Sequence, residues 1–226
     1  MPEKLFDRSN EYDSMLNQGL RYSGEDKFYF IRGRVDDLVR QFPANYQPER
    51  ILDWGCGIGD ATRYLREVFP EACITGADLS EQAIVYARDK HGGERVRFVL
   101  LDELEDNYLY DLCYVNGVFH HIAPGKRGTA VDKIHAALKP GGHFAFFENN
   151  PWNPGTLFIM KSIPFDGDAQ PVSFLEAKRL LKKSGFSGGR SRFLFYFPKT
   201  MSFLRFLEPL LAKFPFGAQY YILAQK

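Results

Sequence analysis

Residues 51–60 read Ile-Leu-Asp-Trp-Gly-Cys-Gly-Ile-Gly-Asp, and they constrain this chain more than any other stretch. Two apolar residues lead into an acid, and three glycines follow at alternate positions. The run then enters Ala61–Phe69, whose apolar residues recur at helical spacing. The pattern predicts a buried strand, a tight loop and a helix. Glycines let the loop turn sharply and let a ligand approach the backbone with no Cβ in the way. The helix start offers unpaired N–H groups. Together they suit a nucleotide-like ligand.

The spacing argues against a dinucleotide. That fingerprint is G-x-G-x-x-G, with the third glycine giving close helix–strand packing. Here the third glycine falls one position early, at Gly59, and Asp60 takes its place. Asp53, two residues before the first glycine, repels a pyrophosphate and attracts an ammonium group. A second strand, Ala72–Ala77, ends in Asp78-Leu79-Ser80. An acid about 20 residues past the loop is placed for ribose hydroxyls, and a carboxylate can accept from both oxygens of a diol. A third strand, Arg95–Leu101, ends in Asp102.

These signals resemble motif I, D-x-G-x-G-x-G, and the later strand ends of the class I S-adenosylmethionine (SAM) methyltransferases. The resemblance covers about residues 51–150. It implies SAM as cofactor and S-adenosylhomocysteine as product. The cofactor would be held by Asp53, Gly55, Cys56 and Gly57, by Asp78 and Leu79, by Asp102 and Glu103 near adenine, and by Asn116 near the amino-acid group. It also implies a helical lid before the first strand and a last strand running antiparallel.

Composition agrees. The chain has 226 residues and a formal net charge of +1, with no basic footprint for nucleic acid. No stretch approaches the ~20 apolar residues of a membrane span, and the polar N-terminus does not read as a signal peptide. Cys56, Cys73 and Cys113 fall in or beside expected strands. They read as small core residues in a reducing, cytoplasmic setting.

Helical and strand-like patterns alternate from residue 51 onward. The expected fold is α/β, a Rossmann-like, seven-stranded, mostly parallel sheet with helices on both faces. The whole chain, 1–226, reads as one domain: a helical lid over 1–48, a cofactor-binding half over 49–150 and a substrate-side half over 151–226. In the first part, Asp26–Phe42 carries Phe28, Ile31, Val35, Leu38 and Val39 on one helical face. Further on, Ser80 caps a helix to about Lys90, and Ser173 with Glu176 forms a capping box. Strands are expected at 111–115, 143–147, 192–197 and 218–224.

Methyl transfer needs a positioned nucleophile and, for a hydroxyl, a base. Strand four runs into Asn116-Gly117-Val118-Phe119-His120-His121, at the edge where open α/β sheets bind ligands. The His pair resembles one that many small-molecule methyltransferases carry there. His121 is the first candidate base and His120 the second; the bland alternative is a histidine capping the turn. Strand five ends in Glu148-Asn149-Asn150-Pro151-Trp152. Glu148 is a further candidate base, and Asn149, Asn150 and Trp152 are candidate substrate contacts, weighed against a rigid self-satisfied turn. His91, His135 and His143 read as structural. No cluster has metal-ligand spacing, so no metal is expected.

Residues 201–216 hold Phe203, Leu204, Phe206, Leu207, Leu210, Leu211, Phe214 and Phe216 around Arg205, Glu208 and Lys213. The bland reading is a helix over the sheet edge or a homodimer contact. The sharper one is an apolar wall for a lipid-linked or aromatic acceptor, or peripheral membrane docking. Asn150–Pro154, Pro164–Ala169 and Phe216–Tyr220 resemble bacterial methyltransferases of glycan and secondary-metabolite pathways. The function expected is O-methylation of a small or lipid-linked hydroxyl with a histidine base. N- or C-methylation on the same fold and a non-catalytic SAM- or nucleotide-binding module are the alternatives, and a dehydrogenase comes third.

Overall fold

The structure is a computed structural model that describes residues 19–104, 109–163 and 169–226. Residues 1–18 of the expected lid, and most of the Pro164–Ala169 stretch, lie outside them. Seven strands form one sheet in the order β3-β2-β1-β4-β5-β7-β6. They are β1 (Arg50–Trp54), β2 (Cys73–Asp78), β3 (Val96–Leu100), β4 (Tyr110–Asn116), β5 (Leu138–Asn149), β6 (Ser187–Leu194) and β7 (Gln219–Gln225). β1 to β5 pair in parallel, and β7 lies antiparallel between β5 and β6. The expected topology is therefore observed.

Parallel neighbours need crossovers, which the helices supply: α1 (Lys27–Val39), α2 (Asp60–Val68), α3 (Glu81–His91), α4 (Pro124–Ala137), α5 (Pro154–Ser162), α6 (Phe174–Lys183) and α7 (Glu208–Leu211). Side chains of a strand alternate between faces, and this divides the core. Leu52, Val115, Phe144 and Phe146 meet Val131, Ile134 and Leu181 of α4 and α6. Ile51, Tyr114, Ala145 and Phe147 meet Val35, Leu38 and Leu65 of α1 and α2. Strands buried on both faces explain the near-continuous apolar runs.

Local signals act as read at several ends. Asp26 caps α1 by accepting from the Tyr29 N–H at 2.8 Å, and Ser80 caps α3 through Ala83. Ser173 accepts from the Glu176 N–H. Other expectations change. Phe28 is exposed on the face where Ile31, Val35 and Leu38 are buried, and that face also carries buried Arg34. Cys73 is exposed at the edge of β2, while Cys56 and Cys113 are buried. β5 begins at Leu138, with an irregular register across Pro140–Gly142. β6 lies earlier than the apolar run 192–197 suggested. It stops at Leu194 because Phe195 turns to φ +63° and packs on Phe30, ring centroids 4.9 Å apart.

Residues 199–207 form a 3-10 segment that leads into α7. The segment and α7 do not form ordinary core: Phe203, Phe206 and Leu210 are each more than 70% exposed (71%, 73% and 74%).

Candidate active site

The carboxyl ends of β1, β2, β4 and β5 open onto a cavity of about 960 Å³, closed on its far side by α1, α5 and residues 195–198. The glycine loop forms one wall. Gly55, Gly57 and Gly59 all have positive φ (76°, 53° and 86°), a region favoured by glycine. A Cβ on Gly55 would stand 2.4 Å from Val118, so that position admits no side chain. A Cβ on Gly57 would meet nothing within 4 Å, leaving its backbone open to a ligand. The Gly55 and Cys56 N–H groups donate to the Ala77 carbonyl at 2.7 and 3.1 Å, which locks the loop to β2.

Two acids face this loop, Asp53 buried and Asp78 partly buried. Asp53 accepts from the Thr62 hydroxyl at 2.6 Å. Burial pushes its carboxyl up to about 7; the Thr62 hydrogen bond opposes that shift, and Asp78 adds to it. Asp78 accepts from the Gly57 N–H at 2.8 Å and from the Ser80 N–H at 3.0 Å, one on each oxygen. Burial still leaves its carboxyl raised. Each carboxylate oxygen keeps a second acceptor position, so a diol could still be bound. Burial, then Asp53 and Asp78, push the Cys56 thiol well up, so Cys56 is a neutral wall residue.

Of the cofactor residues expected from sequence, Asp53, Gly55, Cys56, Gly57, Asp78, Leu79 and Asn116 all line the cavity. Asp102 and Glu103 do not. They are exposed on a single 3-10 turn, where Glu103 accepts from the Leu100 N–H, and their neighbour Leu101 lines the cavity instead. An acid at the end of β3 is one residue out of register with the cavity.

The second wall carries the histidines. Both His120 and His121 line the cavity, with ring centroids 4.2 Å apart. His120 is buried, and its Nδ1 lies 2.6 Å from Glu148 Oε2. Glu148 is fully buried, and its Oε1 accepts from the Phe119 N–H at 2.7 Å. Burial pushes the Glu148 carboxyl up, but the charge and hydrogen bond of His120, the Phe119 N–H and His121 together hold it below its ordinary value. Glu148 does not line the cavity; it reaches it through His120.

The candidate substrate residues separate. Asn149 lines the cavity and accepts from the Gln219 amide at 3.0 Å. Asn150 is fully buried elsewhere: its amide donates to the Pro215 and Gly217 carbonyls, and its oxygen accepts from the Trp152 N–H. Trp152 packs edge-on against Phe174, outside the cavity. Both hold the turn that fixes Asn153, which does line the cavity.

Sequence reasoning missed three cations. Arg34 of α1 is buried in the cavity wall and donates to the Tyr114 hydroxyl at 3.2 Å and to Gln219 Oε1 at 3.0 Å. Its position on the buried face Ile31–Val35–Leu38 was the available signal. Lys27 pairs with Asp60 at 2.6 Å, so the acid in the dinucleotide glycine's place ties α1 to the loop helix. Arg127 is buried behind the histidines. Its guanidinium donates to the carbonyls of Phe119, Ile122 and Gln170 and pairs with Glu176 at 2.6 Å. That pairing draws the Glu176 side chain away from the capping box. No signal in the sequence distinguished Arg127 from a surface arginine on α4. Among the described residues no group of His, Cys, Asp or Glu could hold a metal ion.

The donor set fits SAM. Asp53 suits an ammonium, Asp78 suits a ribose diol, and the open backbone at Gly57 admits the ligand between them.

Comparison with known proteins agrees. A family described as "Methyltransferase domain" matches residues 52–144. A malonyl-[acyl-carrier protein] O-methyltransferase from Acetivibrio thermocellus is 40% identical over 98 residues, 42% of this chain and 34% of that protein. A protein of the same name from Priestia megaterium is 34% identical over 144 residues, 58% of this chain and 52% of that protein. The chain thus spans about half or less of the length of these relatives. A SAM-dependent methyltransferase from Thermotoga maritima superposes over 100% of both chains, with a TM-score of 0.73 at 18% identity, which shows the shared fold. Residues 52–144 thus match a methyltransferase domain, and the chain shares its fold with SAM-dependent methyltransferases.

Proposed function

We propose that the chain transfers a methyl group from SAM to an oxygen of a small acceptor, with His120 as the base and Glu148 as its positioning residue. The observation that carries this is the 2.6 Å contact between His120 Nδ1 and buried Glu148 Oε2, set in the wall of the cavity that Asp53 and Asp78 also line. The names of the relatives, O-methyltransferases of malonyl-[acyl-carrier protein], support oxygen as the acceptor atom.

When bound, the cofactor supplies a methyl group already activated by its sulfonium. Asp53 would hold its ammonium end and Asp78 its ribose, with Asn116 at the same strand edge. Glu148 accepts from Nδ1–H and so fixes the tautomer in which the other ring nitrogen accepts a proton. His120 would take the proton of an acceptor hydroxyl, leaving its oxygen free to accept the methyl group that bound SAM would supply. Glu148 stabilises the imidazolium that results. α1 and residues 19–26 act as the lid that excludes water. His121 packs against the base at a tilt and forms part of the acceptor wall with Asn149. An acceptor with an apolar portion suits the far side, where Phe158, Ile159, Phe195 and Phe197 line the cavity.

The test combines calorimetry with SAM and methyl transfer from labelled SAM into an organic extract. Binding of SAM with transfer that both variants lower, His120→Ala more than Glu148→Gln, supports the reading. Transfer unchanged in both variants would indicate an acceptor that needs no base, a carboxylate or a free amine, and would overturn the histidine-base reading.

A further inference from the structure

We propose that residues 199–217, together with the exposed side of α5, form a membrane-docking surface that lays the cavity mouth on an anionic lipid bilayer, and that the acceptor is carried by that bilayer. The proposal rests on the methyltransferase reading of the cavity and adds the place from which the acceptor comes.

Exposed large apolar side chains are concentrated here. Met201, Phe203, Phe206, Leu210, Phe214 and Phe216 are all at least 40% exposed (40%, 71%, 73%, 74%, 55% and 65%) within sixteen residues of chain. Contiguous apolar patches beyond a few hundred Å² are uncommon on water-facing surfaces. The surface is also held in shape. Tyr196 donates its hydroxyl to the Leu211 carbonyl, Glu208 accepts from the Tyr196 and Phe197 N–H groups, and Asn153 donates to the Phe216 carbonyl. Phe158 of α5 is 57% exposed. Its neighbour along the helix, Lys161, is exposed as well.

Charge selects the occupant. Lys199 and Lys213 are exposed beside the phenylalanines. Arg205 turns inward, paired with Glu25 at 2.9 Å, and Glu208, the lone acid of 199–217, is partly buried on backbone N–H groups. Neither 199–217 nor α5 exposes an acid. A second copy docked face to face would bring these lysines together with no acid opposite them. An anionic bilayer attracts them and takes the phenyl rings into its interface. The surface also leads inward: Arg205, Phe197 and Phe158 line the cavity as well. A lipid-borne acceptor could therefore pass from the bilayer to His120 without crossing water.

The experiment is cosedimentation of the full chain with vesicles of phosphatidylcholine and phosphatidylglycerol, and with vesicles of phosphatidylcholine alone. Variants are Phe206→Ser with Leu210→Ser, and Lys199→Glu with Lys213→Glu. Sedimentation velocity and SAM calorimetry are run on each. The wild type should partition into the anionic vesicles, and each double variant should lose about tenfold or more of that binding, remain monomeric and keep its SAM affinity. A wild type left in the supernatant, variants that bind as the wild type does, or a wild-type dimer that the Phe206 and Leu210 changes dissociate would each overturn docking. Failure of the wild type to bind SAM would sink the methyltransferase reading and leave the vesicle result standing.

Discussion

The two sides of the cavity are built on opposite principles. On the cofactor side, polar groups are buried or partly buried and already hydrogen-bonded: Asp53 to Thr62, Asp78 to two N–H groups, and the glycine loop to Ala77. On the acceptor side, the walls continue outward into side chains that water reaches, with Phe206 and Leu210 more than 70% exposed (73% and 74%). A buried charge needs fixed partners, so the cofactor side tolerates little change. An apolar wall needs only shape and area, so it can be retuned for each acceptor. The histidines stand where the two meet.

The largest effect should fall at that meeting point. Removing a general base typically costs about 10²–10⁴ in rate, and His120→Ala should lose that much in kcat with SAM affinity unchanged. Steady-state kinetics beside calorimetry checks it. Glu148→Gln should lose less, and its kcat should respond to pH over a shifted range.

Next is the frame behind the base. Arg127→Met removes the guanidinium donor to the carbonyls of Phe119, Ile122 and Gln170 and the ion-pair partner of Glu176. Breaking such a buried network should cost about 3 kcal/mol, read by urea denaturation. A loss within error would show that the His120 segment holds itself.

On the cofactor side, Asp78→Ala should weaken SAM by about 1–3 kcal/mol, the range for hydrogen bonds to a charged group. Asp102→Ala should leave affinity unchanged, since Asp102 is exposed away from the cavity. Equal losses in the two would place adenine at the end of β3 and redraw the cofactor side.

Asp53 gives a pH dependence. Its folded-state value, about 7, lies above that of an unfolded aspartate. Between those values the folded state holds the extra proton, so stability without ligand falls as pH rises toward about 7 and then levels off. SAM binding should run the other way and tighten as pH rises through about 7, because the ammonium needs the ionised acid. Asp53→Asn should flatten both trends in thermal melts and in calorimetry. Glu148 has the opposite sign: held below its ordinary value, it stabilises above the unfolded value, and that contribution is lost as pH falls through its depressed one.

The smallest effect should be on the acceptor side. Phe206→Ser with Leu210→Ser should change stability by no more than about 0.5 kcal/mol, the usual size for exposed positions. Phe147→Ala, in the core, should cost about 3–5 kcal/mol. A large loss in the first would make the exposed segment a structural one.

The sequence by itself determined the order of elements, the glycine loop, the caps at Ser80 and Ser173, the antiparallel seventh strand through the resemblance, and most of the residues that line the cavity at the ends of β1 and β2. These depend on contacts close in the chain, or on strand ends that a parallel sheet must bring to one edge. Only the tertiary structure decided the rest. Asp102 missed the cavity because one turn beyond β3 rotates it outward. Asn150 and Trp152 went to the turn and not to the cavity, because buried carbonyls at 215 and 217 needed a donor. Arg34 and Arg127 joined the site through partners 80 and 49 residues away, Tyr114 and Glu176. No local pattern encodes a contact of that span. Residues 201–216 read equally well as core or surface, because an apolar run states what it avoids and only the folded neighbours determine what covers it.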